Sequence, residues 1–204
     1  MAGVTPLNLV PITSIQSLSG NQPNMRRLAE KATQTFQLGA AVQIDATGFV
    51  IESPAVAADT AKIAGFATEP AHNLTTSGVG TPGGITTGQK VPNQPAAVVI
   101  AIGGPLIDGM VGTDIAVDDT MFLGALDNAH VLAQTDVTSK VGLTKDTTGP
   151  GGSGTPTGIW FLDSTAGVGS GQVAEIVELY DPIGTTNGGR VIFKVDKANQ
   201  QLSA

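Results

Sequence analysis

Residues 36–51 read FQLGAAVQIDATGFVI. Ala41-Val42-Gln43-Ile44-Asp45 alternates along the chain and stops at Ala46-Thr47-Gly48, residues suited to a turn. A period of two is the spacing of a strand with one buried face. Phe49-Val50-Ile51 then resumes an apolar, β-branched run, so strand, turn and returning strand predict a hairpin. Runs of the same kind recur at Ile63–Ala67, Ala96–Ile102, Thr120–Leu123, His130–Leu132, Lys140–Thr144, Gly158–Asp163, Val173–Tyr180 and Val191–Val195. Most are bounded by Gly, Pro, Asn, Asp or Thr, and the pattern predicts an all-β protein.

Moving outward, the same events occur twice in the same order. FQLGAAVQIDATGFVI, KIAGFATEPA and AAVVIAIGGP are echoed by VDDTMFLGALDNAHVL, SKVGLTKDTT and VAEIVELYDP. Gly65 and Gly142 lie 77 positions apart, as do Pro105 and Pro182. This predicts tandem duplicated β-units: copy one over residues 36–110, and copy two over 111–204 with a C-terminal hairpin turning at Thr186-Asn187-Gly188-Gly189. Gly65 is expected over Gly142, and Ala97–Ile102 over Ala174–Leu179. Gly158–Asp163 has no counterpart in copy one. Leu74–Gln94 and Thr147–Gly158 are long Gly/Pro loops at matching places, suited to contact or display.

Residues 1–35 read as an extended N-terminal arm with a short helix. The first 25 residues carry no charged side chain and contain Pro6, Pro11 and Pro23. Proline around short apolar runs favours extended backbone. Such an arm is suited to lie on a partner through Leu7, Leu9, Val10, Ile12 and Ile15, with Arg26 and Arg27 adding electrostatic steering. Met25–Ala32 is rich in helix formers and predicts a helix of at most two turns. Both repeats lie downstream, so removal of residues 2–24 is expected to spare the β-fold.

The 204 residues include 41% hydrophobic, 13% charged and 4% aromatic side chains. Low charge suits surfaces that pack against other subunits. Net charge is −7, and residues 36–185 hold 15 acids against four bases. That balance argues against direct nucleic-acid binding, which favours a basic stripe. No run approaches the roughly 20 apolar residues of a membrane helix. The absence of cysteine removes disulfides, thiolate metal sites and cysteine nucleophiles from consideration.

Glycine patterns at Gly78–Gly83 and Gly149–Gly154 match GxGxxG, but neither precedes a helix that would meet a pyrophosphate. His72 and His130, the two histidines, lack paired metal-ligand spacing, and His130 falls in an apolar strand. Asp114, Asp118 and Asp119, with Asp108 upstream, form an acidic cluster whose spacing is not that of an EF-hand. Asn73-Leu74-Thr75 is a glycosylation sequon. The expectation is a non-enzymatic protein with no catalytic residue, no cofactor and no metal.

Ala32-Thr33-Gln34-Thr35-Phe36-Gln37-Leu38-Gly39, the following AAVQIDATGFVI and Ile63–Ala67 together resemble the head decoration, or cement, proteins of tailed bacteriophages. The resemblance covers residues 32–70, with a weaker echo at 118–146. It implies β-barrel or tulip-like units, a homotrimer on the capsid exterior, synthesis in the host cytoplasm, and the major capsid protein as partner. The function expected on this basis is stabilisation of the shell by bridging capsid subunits. Two other readings compete: a tail-tube or fibre virion protein, and a carbohydrate-binding β-module. The last would use exposed aromatics, yet Trp160 and Tyr180 are the chain's single Trp and single Tyr.

Overall fold

A computed structural model describes residues 10–17, 24–54, 62–72, 109–149, 154–166 and 171–202. They form eleven strands: β1 (Thr13–Ser17), β2 (Met25–Ala29), β3 (Ala41–Ile44), β4 (Val50–Glu52), β5 (Gly65–Ala67), β6 (Met110–Ile115), β7 (Thr120–Ala125), β8 (Lys140–Lys145), β9 (Trp160–Asp163), β10 (Gln172–Leu179) and β11 (Arg190–Val195). Two short 3-10 turns, Gln134–Asp136 and Lys197–Asn199, are added. Two antiparallel sheets result, in the orders β2-β6-β5-β3-β4 and β1-β7-β11-β10-β8-β9.

The hairpin at residues 41–52 forms as its sequence predicts. Val42 pairs with Glu52 and Ile44 with Val50. The Asp45 carboxylate accepts from the backbone N–H groups of Thr47 and Phe49 and from the Thr47 hydroxyl, which locks the turn. Gly48 supplies a φ of +87° there. At the far hairpin, Asn187 and Gly188 both take positive φ, as the Asn-Gly pair predicts.

Setting β1 aside, both sheets follow one order: first, fifth, fourth, second and third strand. The correspondence extends to register. Gly65, Phe66 and Ala67 face Ile115, Asp114 and Thr113, as Ala174, Glu175 and Ile176 face Val195, Lys194 and Phe193. Ala41 and Val42 face Phe66 and Gly65, as Lys140 and Val141 face Glu175 and Ala174. Backbone bonds also recur. Glu30 N–H donates to Gly109 C=O at 2.9 Å and Leu126 N–H to Gly189 C=O at 3.0 Å. Gly39 donates to Ala67 and Thr138 to Ile176, both at 2.8 Å, and both donors take φ above +70°. A lone parallel bridge joins Glu30 to Val50 in one sheet and Leu126 to Leu162 in the other.

The two sheets therefore correspond in a register different from the one the glycines predict. Gly65 lies in β5, whose counterpart is β10, whereas Gly142 lies in β8, the counterpart of β3. The offset ranges from 80 positions between Met110 and Arg190 to 112 between Val50 and Leu162, because connections differ in length while strand pairing is kept. A constant spacing of 77 misses it. β9 is the counterpart of β4, not an added strand. The boundary expected after residue 110 falls inside β6, which belongs to the first sheet. Both sheets are open, so closed barrels are not seen. Ala96–Ile102, Pro105 and the loop Leu74–Gln94 lie outside the described residues.

Three further local expectations are corrected. Met25–Ala29 is a strand, not the start of a helix, because five residues pair with β6. A two-turn helix is too short for propensity to outweigh that ladder. His130–Leu132 is not a strand; Leu132 instead exchanges backbone bonds with Thr185 and Gly184. Residues 10–17 are not a separable arm. Ile12 is buried and β1 pairs with β7 through Thr13–Leu123 and Ser17–Thr120.

One apolar core runs through both sheets. Phe66 of the first meets Phe122 and Phe193 of the second, with ring centroids 4.6 and 5.7 Å apart. Glu52 of β4 accepts from Trp160 Nε1 at 3.0 Å and pairs with Lys145 Nζ at 2.8 Å. The segment after β11 crosses back to the first sheet. Ile63 N–H donates to Asn199 C=O, Gln201 N–H donates to Ile63 C=O, and the Gln201 side chain both accepts from and donates to the Ile44 backbone at 2.6 Å.

Candidate interaction edges

The sequence-predicted contact residues fall into three settings. Leu7 and Leu9 lie outside the described residues. Val10 is half-buried and Ile12 fully buried, its backbone packed closely against Gly39. Ile15, on β1, is 41% exposed. Arg26 and Arg27 lie on β2 with exposed side chains. Arg27 pairs with Glu69 at 3.4 Å and donates to the Met110 carbonyl at 3.0 Å.

These residues cluster at one type of structural feature, the outer edge of a sheet. β1 lies along the edge of β7 as an added strand, in antiparallel register with one irregularity between Ser14 and Gln16. Its Ser14 hydroxyl also donates to the Asp114 carboxylate of β6, tying this edge to the other sheet. Backbone ladders of this kind give affinity without demanding particular side chains. β2, the counterpart of β7, pairs with β6, and just past its end Glu30 is bridged to Val50 of β4.

The histidines occupy polar pairs. Glu30, fully buried, accepts from the backbone N–H of His72 at 2.9 Å and contacts its Nδ1 at 2.7 Å. Sequence reasoning missed this pair: Glu30 fell inside the window read as a helix, and His72 lies 42 residues away. The Glu30 hydrogen bond raises the His72 pKa above its ordinary 6.5, against the opposing effect of burial. A raised value means the ionic pairing stabilises the fold fully below about pH 6.5 and fades as pH climbs through the raised pKa. Urea unfolding at stepped pH is expected to show that decline above pH 6.5 in the parent chain and a flatter profile in His72→Gln. Equal slopes for the two chains would remove the pair from the pH dependence. His130 Nε2 contacts Asp136 at 2.8 Å beside a turn.

Of the acidic cluster, Asp108 lies outside the described residues. Asp114 accepts from Ser14, and Asp118 pairs with Lys197 at 2.8 Å, which lowers its pKa. No group of three potential metal-binding His, Asp or Glu side chains occurs among the described residues. A groove of about 470 Å³ is lined by Asp118, Lys140, Glu175, Lys194, Asp196 and Lys197. Its cations are matched internally: Lys140 with Asp196, Lys194 with Glu175 and Lys197 with Asp118. Such a lining offers little net charge to a ligand.

Trp160 is fully buried, while Tyr180 is 52% exposed with the Arg190 guanidinium 4.6 Å from its ring centroid. Among the described residues no helix is long and apolar enough to cross a membrane. Comparison with protein-family models, curated proteins and solved structures finds no match.

Proposed function

We propose that this chain is a non-enzymatic virion protein that decorates the outside of a tailed-phage capsid and stabilises it by bridging major capsid subunits. Its fold then comprises two tandem copies of one five-stranded β-unit, fused through a shared core. The observation that carries the reading is β1. An N-terminal segment of this chain is built as an added edge strand, the mode by which an arm would bind a neighbouring sheet. The resemblance of residues 32–70 to decoration proteins supplies the partner. Burial of Trp160 weighs against a sugar-binding platform.

In this mechanism the arm upstream of β1 spans a capsid joint and opposes separation of the subunits. Binding only the assembled shell stabilises it by mass action. Arg26 and Arg27 add attraction that falls with salt. Cosedimentation with expanded tailed-phage shells tests the proposal. The full chain is expected to pellet with shells, whereas removal of residues 2–9 weakens binding about tenfold or more without changing the β-sheet circular dichroism spectrum. The truncation stops short of Ile12 and β1, which belong to the body. Equal binding by both chains would eliminate the arm as the clamp, and binding by neither would eliminate the capsid reading.

A further inference from the structure

We infer that the exposed apolar lobe made by residues 131–135 and 182–189 is a two-fold docking face, and that its occupant is the same lobe of a second copy of this chain. The lobe follows from the backbone. Leu132 N–H donates to Thr185 C=O at 3.0 Å and Gly184 N–H donates to Leu132 C=O at 2.8 Å, so the two segments lie side by side. Leu132 turns inward and is buried, close against Gly189. Its neighbour Val131 is 52% exposed, and Ile183, next to the bonded Gly184, is 63% exposed. Tyr180, three residues before Ile183, is also exposed. The other exposed large apolar side chains among the described residues, Ile15, Met25 and Leu38, stand on three separate segments. Apolar side chains gathered on one exposed surface mark a contact site.

Charge selects the occupant. In a two-fold contact a surface meets its own copy, so a free charge near the axis meets its like. Residues 131–135 and 182–189 carry no charged side chain. The charges that flank them are paired. Asp181 accepts from Arg190 Nε at 3.1 Å and from its terminal nitrogen at 2.8 Å, and the same guanidinium lies 4.6 Å from the Tyr180 ring centroid. Asp136 is buried, and its Oδ2 contacts His130 Nε2 and accepts from Ala133 N–H, both at 2.8 Å. Glu178, exposed two residues before Tyr180, adds one carboxylate at the rim. The chain carries a net charge of −7, and residues 36–185 hold 15 acids against four bases. Two copies meeting through an acidic face repel each other, whereas the lobe lets them approach without that cost.

Such a contact closes after two copies, so the unit is a dimer and not the trimer that the resemblance implies. Two short segments a side make a small interface, and a dissociation constant on the order of micromolar is expected. Apolar burial holds the dimer while net charge opposes it. Added salt therefore strengthens the pairing, the reverse of its effect on the attraction assigned to Arg26 and Arg27. The inference does not rest on the capsid reading, and its test contains no capsid, so either can fail alone.

Sedimentation equilibrium of the full chain is expected to show monomers and dimers, with the dimer favoured as concentration or salt rises. Ile183→Glu is expected to weaken the pairing about tenfold or more with unchanged circular dichroism, because the side chain it replaces stands mostly in solvent. Val131→Asp is a second variant of the same kind should the first disturb the fold. The chain has no cysteine, which permits a directed cross-link. Under mild oxidation a mixture of Val131→Cys and Ile183→Cys chains is expected to form disulfide-linked dimers about tenfold faster than Ala46→Cys chains, whose substitution lies on an exposed turn of the first sheet. A chain that stays monomeric at about 100 µM, a trimer, pairing that neither charged variant weakens, or equally fast cross-linking at position 46 would overturn the inference.

Discussion

Phe122→Ala is expected to lower the unfolding free energy by about 3–5 kcal/mol, the usual cost of emptying a large aromatic site in a core. Phe122 is fully buried and touches the rings of Phe66 and Phe193. Phe66 belongs to the first sheet and the other two to the second, so the cavity opens at their joint. Both sheets are therefore expected to weaken together. Urea unfolding followed by far-ultraviolet circular dichroism and by Trp160 fluorescence checks this. Trp160 bonds to Glu52 of the opposite sheet and reports the joint. Coincident, shifted transitions are the expected result; a shift in one probe alone would separate the sheets into independent units.

Gly65→Ala is expected to be among the most damaging single-methyl additions, at about 3 kcal/mol, the upper end of the usual overpacking cost. Gly65 lies in β5, between β3 and β6. A Cβ there overlaps the Asp114 carbonyl oxygen and lies 2.9 Å from the Asp114 carbonyl carbon. Backbone cannot swing aside as a side-chain end can, so the pairing of β5 with β6 must yield. At Gly142 the nearest obstacle is the Ala166 Cβ at 2.8 Å, followed by the Gly171 carbonyl oxygen at 3.1 Å. Gly142→Ala is expected to cost less. Thermal unfolding of the two variants ranks them, and equal losses would contradict the different strand positions assigned to these glycines.

The all-β character was legible because alternation at Ala41–Asp45 and the turn residues at Ala46–Gly48 and Asn187-Gly188 are local signals, although Asp45 itself belongs to the turn. What depended on distant partners was not. Met25–Ala29 has good helix formers, yet it is a strand because Met110–Asp114 lies beside it, some 81 to 89 residues later. The strand order common to the two sheets does not follow the spacing of 77 read from the sequence, because the connections are of unequal length. Glu30 gave no sign of burial, since its partner His72 lies 42 residues away. Of the candidate contact residues, Ile12 reads like its apolar neighbours in sequence. Only the packing around Gly39 makes it part of the body. Arg26 and Arg27 were expected within a helix and instead lie in strand β2.

The grip of Gln201 on Ile44 spans 157 positions of chain. During synthesis at roughly 5–20 residues per second, the first sheet therefore waits about 8–30 s for its last neighbour to be made. Ile63, which also receives that returning segment, waits nearly as long. Through that interval the nascent chain presents an unfinished apolar surface near the ribosome. Slowing elongation before residue 199 is expected to lengthen that exposure and to lower the soluble yield, which expression with slow codons in that stretch checks.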